Sequence, residues 1–376
     1  MRLLYVIDSL APGGAETSLA EMASALVVSG LDLHVLPLGS AAQLRPVLER
    51  AGAVVHIPRG GPGRAGNVRS VLGVARSIQP SLIHTTLYES DLAGRIAARL
   101  ARVPSSTSWA SDSYGPAHYA EAKRVKLALA QAVDGLTARL ASRFHAVSGV
   151  VADNVGERLR VDRHLVDVIP RGRDLQRFHF RPAGVRDRIR RELGITQPAR
   201  VILALGRLEP PKGIHHLLAT LPSVAAEVPD VVVLIAGSEG RSSAQLKAAA
   251  SRLTVDVRFL GHRTDAAELL AAADLVCLPS EREGFPGTLV EALAVGCPIV
   301  ASDIPPCREV LGPESTGVLT PASDSVGLGR ALIGVLNDPE GAHTRALAGR
   351  ARFESQFTTE RVAGQMVEFF HRAAAR

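Results

Sequence analysis

The stretch Ser280 to Glu291, SEREGFPGTLVE, places Glu283 and Glu291 on either side of a Gly-Phe-Pro-Gly turn. Ionised carboxylates accept hydrogen bonds and do not donate them, so a polyol such as ribose or a hexose is their natural partner. The preceding LVCLPS reads as a strand, which puts Glu281 to Pro286 just past a strand's carboxyl end, and an apolar helix then runs from Thr288 to Gly296. Thr288-Leu-Val-Glu291 also has the S/T-x-x-E spacing of a capping box, with Glu291 bonding back to the Thr288 backbone. Glu283 has no such local use, and beside Glu281 its charge is expected to stand uncompensated unless a ligand needs acceptors.

A second stretch supplies the opposite charge. In GRLEPPKG, residues 206 to 213, a strand ending at Gly206 runs into a loop carrying Arg207 and Lys212, just before a helix. Arg grips phosphate oxygens as a fork and Lys acts as a point charge. Either residue alone reads as a solvated surface cation, but at a strand's carboxyl end the pair suits a diphosphate. A sugar nucleotide uses every part: cations for phosphate, acids for hydroxyls.

Two glycine motifs compete for phosphate. Pro12-Gly13-Gly14 follows the first strand and opens the first helix, whose N-terminus suits an anion; the alternative is a tight turn needing positive φ. Gly61-Pro-Gly63-Arg-Ala-Gly66 matches G-x-G-x-x-G, the fingerprint of nicotinamide-dependent dehydrogenases. It follows the third strand rather than the first and carries Pro62 inside the turn, so it reads as a flexible loop.

The elements that position these residues follow a simple alternation. The apolar runs LLYVI, LHVLPL, AVVHI and SLIHT are each followed by a helical pattern, and the alternation restarts at VILALG, VVVLIAG, VDVRFLG, LVCLP and PIVAS. Strand alternating with helix at this spacing gives right-handed βαβ units on a parallel sheet, here two doubly wound sheets in series. The Arg-, Pro- and Gly-rich segment 168 to 184 separates them, giving domains 1–178 and 179–358. The last helix, near Thr359 to Ala374, carries Val362, Met366, Phe369 and Phe370 at helical spacing and is expected to cross back to the first domain.

With 376 residues, 46% hydrophobic and 21% charged, the composition is that of a folded two-domain protein rather than a disordered chain. No segment approaches a membrane span or a signal peptide's apolar region, so a cytosolic location is expected. Cys277, Cys297 and Cys307 form no C-x-x-C pair and read as small core residues. The net charge of +6 lies wholly in residues 1–180, with 21 Lys/Arg against 15 Asp/Glu, which favours an anionic partner. Aromatic content of 4% argues against base stacking on nucleic acid. A helical stretch from Tyr119 to Phe144 lines up Val125, Leu129, Val133, Leu136 and Leu140, with Lys123, Arg124 and Lys126 near its start. It reads either as a core helix with a solvated basic face or as a surface for an anionic membrane.

Taken together, PGGAE, HAVS (145–148), VIPRGRDLQRF (168–178), GRLEPPKG and EGFPGTLVEALAVGCPIVAS (283–302) resemble the retaining glycosyltransferases of the GT-B fold, in particular glycosyltransferase family 4. The resemblance covers nearly the whole chain and implies an α/β fold of two Rossmann-like domains facing a central cleft. It implies that Arg207 and Lys212 hold a donor diphosphate, Glu283 the sugar hydroxyls and Glu291 the ribose. Gly206 and the backbone of Gly284, Phe285, Pro286, Gly287, Thr288 and Leu289 would line the same donor site, and Gly14 would admit the diphosphate or acceptor. Gly13, Asp112 and Arg171 fall on the acceptor side. The partners implied are a nucleoside diphosphate sugar and a glycan, lipid-linked or small-molecule acceptor, in cell-surface polysaccharide or glycolipid biosynthesis, with peripheral contact to the inner face of the membrane. Front-face attack, with the leaving phosphate taking the acceptor's proton, would retain the anomeric configuration.

No two aspartates lie two apart, so no D-x-D metal motif is present, and neither metal nor cofactor is expected. Many relatives carry a histidine where this chain has Trp109-Ala110-Ser111-Asp112; His84, His118 and His145 read as structural instead. Relatives usually show Asn and Val where Arg171 and Arg173 stand, which adds positive charge to the linker. The rival readings are a GT-B sugar-nucleotide epimerase or hydrolase and an NAD(P)-dependent oxidoreductase.

Overall fold

The computed structural model describes residues 1–115, 124–182, 184–312 and 316–375. The chain forms two compact units, one of residues Met1–Gly172 with Thr359–Arg376, the other of Arg173–Thr358. The division falls after Gly172 rather than at residue 178, because the backbone of Arg173 already donates to Phe357 O and Phe178 is buried within the second unit.

The first unit holds seven parallel strands: β1 (Arg2–Ile7), β2 (Asp32–Pro37), β3 (Val54–Val55), β4 (Leu82–Thr86), β5 (Ser105–Trp109), β6 (Arg143–Ala146) and β7 (Val166–Val168). Their order is β3-β2-β1-β4-β5-β6-β7, so the winding reverses between β1 and β4. The strand β5 carries no apolar run: its Ser105, Ser106, Thr107 and Ser108 are all buried. Those hydroxyls are satisfied sideways: His84 bonds Ser106 Oγ and Ser108 Oγ at 2.8 Å each, and Ser108 Oγ meets His145 Nδ1 at 2.7 Å. The ladder is a polar seam inside an apolar unit, and full satisfaction is what makes such burial tolerable.

The helix Thr359–Ala374 belongs to this unit, with Val362, Met366, Phe369 and Phe370 buried in one cluster with Leu3, Tyr5 and Leu19. The helix Arg124–Ala138 departs from both ends of the expected one: residues 116–123, including His118 and Lys123, lie outside the described residues, and Phe144 is in β6. Its apolar stripe does not face the core. Val125 is 83% exposed and Leu129 and Leu136 66%, while the inward side carries Asp134, bound to the fully buried Arg95 at 2.5 Å and to Tyr114 Oη at 2.6 Å. Arg95 is fully buried, and a buried charge left without its partner costs more than leaving a few apolar side chains in water, so Asp134 rather than the leucine stripe faces inward. This reverses the helix from the orientation its periodicity suggests.

The second unit holds six parallel strands: β8 (Arg200–Leu205), β9 (Val231–Ala236), β10 (Asp256–Gly261), β11 (Leu275–Leu278), β12 (Ile299–Ser302) and β13 (Val318–Thr320). Their order is β10-β9-β8-β11-β12-β13, reversing between β8 and β11. Cys277, Cys297 and Cys307 are free and buried, and burial pushes their thiols well above the ordinary range. Among the described residues no helix is long and apolar enough to cross a membrane.

Candidate functional site

In open α/β sheets, ligands bind beyond the strand carboxyl ends where the winding reverses. In the second unit that point lies between the loops after β8 and β11. The first carries Arg207 and Lys212, the second Glu281 and Glu283. Gly213 locks the two loops together: it adopts φ of +64°, and a Cβ there would come 1.9 Å from Pro279 O. Only glycine fits both the left-handed backbone and the close approach.

Glu283 is not left uncompensated. Lys212 Nζ donates to its Oε1 at 2.7 Å, Ser280 Oγ donates to the same oxygen at 2.8 Å, and the Glu283 side chain is 8% exposed. Cation and acid, assigned from sequence to different parts of a ligand, form one preset pair. Arg207 is exposed after Gly206.

The helix Gly287–Val295 starts one residue earlier than expected, with Pro286 at the N-cap and no side-chain cap. Thr288 is therefore inside the helix, and the capping-box reading of Glu291 fails. Its carboxylate instead accepts from Arg173 Nε at 2.7 Å. The same guanidinium crosses the start of the helix so closely that a Cβ on Gly287 would lie 2.5 Å from Arg173 Nη2. Phe285, Pro286 and Leu289 are buried beneath this turn, Gly284, Gly287 and Thr288 half-buried.

Glu281 has partners of its own. His216 Nε2 lies 3.0 Å and His215 Nε2 3.6 Å from its Oε1. Burial and the neighbouring His216 hold the His215 imidazole below its ordinary value.

In the first unit, neither Gly13 nor Gly14 adopts positive φ; Gly13 is extended and Gly14 begins the helix Gly14–Val28. The second glycine instead admits a side chain: a Cβ on Gly14 would sit 3.2 Å from Arg171 Nη1. Arg171 Nη2 also donates to Ala110 O at 3.2 Å, so Gly14, Arg171 and the end of β5 come together. Asp112 is held by Asn154 Nδ2 and Arg158 Nη1, each at 3.1 Å. At this unit's reversal point Ser90 donates through N and Oγ to Asp8 Oδ1, at 2.7 and 2.5 Å. Burial nevertheless pushes the Asp8 carboxyl above its ordinary range. His84 and His145 are buried in the strand ladder, and His145 Nε2 meets Ile169 O at 2.8 Å.

The G-x-G-x-x-G segment is not a flexible loop. The helix Gly63–Ile78 begins inside it, and a Cβ on Gly66 would come 1.9 Å from Gly61 O, so the segment packs on itself.

Sequence reading missed Arg173 as the partner of Glu291, Ser280 as a ligand of Glu283, the His215–His216 pair and the Asp8–Ser90 contact. The position of Asp8 after the first strand was the one signal available for the last.

Residues 185–352 match the model of the Glycosyl transferases group 1, and residues 12–177 that of Glycosyltransferase Family 4. Glycogen synthase of Mycobacterium tuberculosis is 32% identical over 311 residues, covering 80% of this chain and 70% of that one. Phosphatidyl-myo-inositol mannosyltransferase of Mycolicibacterium smegmatis is 41% identical over 151 residues, but the match spans only 39% of either chain. The solved structure of Anabaena HepE in complex with UDP superposes with a TM-score of 0.86 at 25% identity, covering 99% of this chain and 100% of that one. Two parallel α/β units with these matches place the chain in the GT-B fold, and it belongs to the family 4, or group 1, glycosyltransferases.

Proposed function

We propose that this chain is a retaining glycosyltransferase that moves a sugar from a nucleoside diphosphate sugar to a hydroxyl of a glycan, a lipid carrier or a small molecule, without a metal ion. The observation that carries the reading is the pairing of Lys212 with Glu283 at the reversal point of the second sheet, with Arg207 alongside on the β8 loop. Negative charge grows on the departing diphosphate, and preset cations stabilise it most effectively because they need no rearrangement. Arg207 and Lys212 take that role, and the N-terminal turn of Gly287–Val295 adds its positive dipole end. Glu283 accepts from the sugar's hydroxyls and Glu291, oriented by Arg173, from the ribose. Gly14 admits the diphosphate or the acceptor, and Gly13, Asp112 and Arg171 lie on the acceptor side.

HepE has also been solved in complex with UDP-glucose, which supports a nucleoside diphosphate sugar as donor. The mannosyltransferase relatives, named for phosphatidyl-myo-inositol, support a lipid-linked acceptor. The exposed stripe Val125, Leu129 and Leu136, flanked by exposed Arg124, Lys126 and Arg139, supports docking of this helix on an anionic membrane surface.

A thermal-shift panel of UDP-, GDP- and ADP-sugars, followed by donor consumption with and without EDTA, tests the reading. One donor raises Tm and is consumed only when an acceptor is present, with EDTA making no difference. Consumption of donor alone would favour a hydrolase or epimerase, and stabilisation by NAD or NADP in place of nucleoside diphosphates would favour an oxidoreductase.

A further inference from the structure

We propose that His215, His216 and Glu281 form a binding site for a divalent transition-metal ion of the zinc type. One ligand atom from each of the three lies within 4.8 Å of the others. A tetrahedral ion with ligands at about 2.0–2.2 Å needs them about 3.3 Å apart. The distances from Glu281 Oε1 to His216 Nε2 and His215 Nε2, 3.0 and 3.6 Å, bracket that edge. Two imidazoles and one carboxylate are a donor set that favours zinc over calcium or magnesium, which prefer oxygen alone.

The surroundings already hold the three ligands in place. Both histidines are in the first turn of the helix Ile214–Glu227, fixed below by Gly213 against Pro279 O. The Glu281 backbone N–H donates to Pro211 O at 2.9 Å, tying the second segment to the turn that precedes the histidines. Ser325 Oγ stands 3.4 Å from His216 Nδ1. When Nε2 binds a metal, the ring proton moves to Nδ1 and needs an acceptor there, a role Ser325 fills. The carboxylate that now bonds the His216 ring becomes a ligand, and one or more water molecules complete the shell. The ion cross-links the loops after β8 and β11 but is separate from the metal-free transfer proposed above.

Full-length protein stripped with chelator and titrated with ZnCl2 in the absence of donor tests the site by calorimetry, with CoCl2 giving a visible d–d absorption. One ion per chain is expected, with a rise in Tm. His215→Ala and Glu281→Gln each weaken binding more than ~10-fold, and Ser325→Ala weakens it by roughly 10-fold. His215 is 50% and Glu281 38% exposed, so both variants should unfold at the parent's temperature without metal. Absence of stoichiometric binding by the parent chain, or binding that persists in both ligand variants, overturns the assignment.

Discussion

Arg173 Nε donates to Glu291 Oε1 at 2.7 Å, joining the segment that opens the second unit to the helix that follows the Gly-Phe-Pro-Gly turn. With side chains only 13% and 16% exposed, each ion is left poorly solvated if the other is removed. Glu291→Ala and Arg173→Ala are each expected to cost about 1–3 kcal/mol, more than the ~1 kcal/mol of a lost cap. The double variant should cost less than the sum, and chemical denaturation of all four proteins measures the difference. Nucleotide affinity should also fall at least tenfold in Glu291→Ala; unchanged affinity would remove this residue from the donor site.

Lys212 and Glu283 act through one contact, so their variants should share a phenotype. Lys212→Ala is expected to lower transfer by about 10²–10³-fold, the range for loss of one preset charge-stabilising donor. Glu283→Gln keeps the shape but loses the charge, and should weaken donor turnover more than binding of the nucleoside diphosphate. Steady-state kinetics beside calorimetry with the free nucleotide separates the two. Near-parental turnover in Lys212→Ala would refute its role.

Burial holds the His145 imidazole at about 4 and His84 well below its ordinary value, and both are neutral within the strand ladder. The unfolded chain takes up these protons near the ordinary histidine value of ~6.5. The stabilising contribution is therefore complete above that pH and is lost as pH falls towards about 4. Well below pH ~6.5, each buried histidine should remove up to about 1.4 kcal/mol of stability per pH unit. Urea unfolding at a series of pH values measures the slope, and His145→Gln should remove about half of it. A flat profile in the parent chain would show that the histidines are not held neutral.

The apolar stripe of the helix Arg124–Ala138 can be made polar without touching a core. Leu129→Asp and Leu136→Asp should change stability by no more than about 0.5 kcal/mol, as for ordinary surface substitutions. Both should abolish co-sedimentation with vesicles containing anionic lipid. Parental sedimentation that is indifferent to anionic lipid content would refute docking by this face.

Most of the strands, the double winding and both loops of the donor side were legible in the sequence, because short continuous apolar runs and glycine-bounded loops are local signals. The pairings were not. Lys212 and Glu283 are 71 residues apart and Arg173 and Glu291 118, and no periodicity reports which distant charges will meet. The capping box failed for a related reason: its spacing fits, but Arg173 offers Glu291 a full charge where the Thr288 backbone offers one N–H. The strand Ser105–Trp109 and the helix Arg124–Ala138 depart from the apolar pattern in opposite ways. In one, hydroxyls are buried because histidines satisfy them; in the other, leucines are exposed because Asp134 must reach Arg95. Both are cases where polar satisfaction outweighs the apolar pattern.

The helix Thr359–Ala374 completes the unit that Met1 begins, with all of Arg173–Thr358 intervening. During synthesis, the unit that starts before Arg173 is therefore completed only after Thr358 has been made. The surface of Leu3, Tyr5 and Leu19 that Phe369 and Phe370 come to cover stays open while the entire second unit is made and can fold. Until the helix Thr359–Ala374 can dock, that apolar surface is the part of the first unit most open to non-native contact.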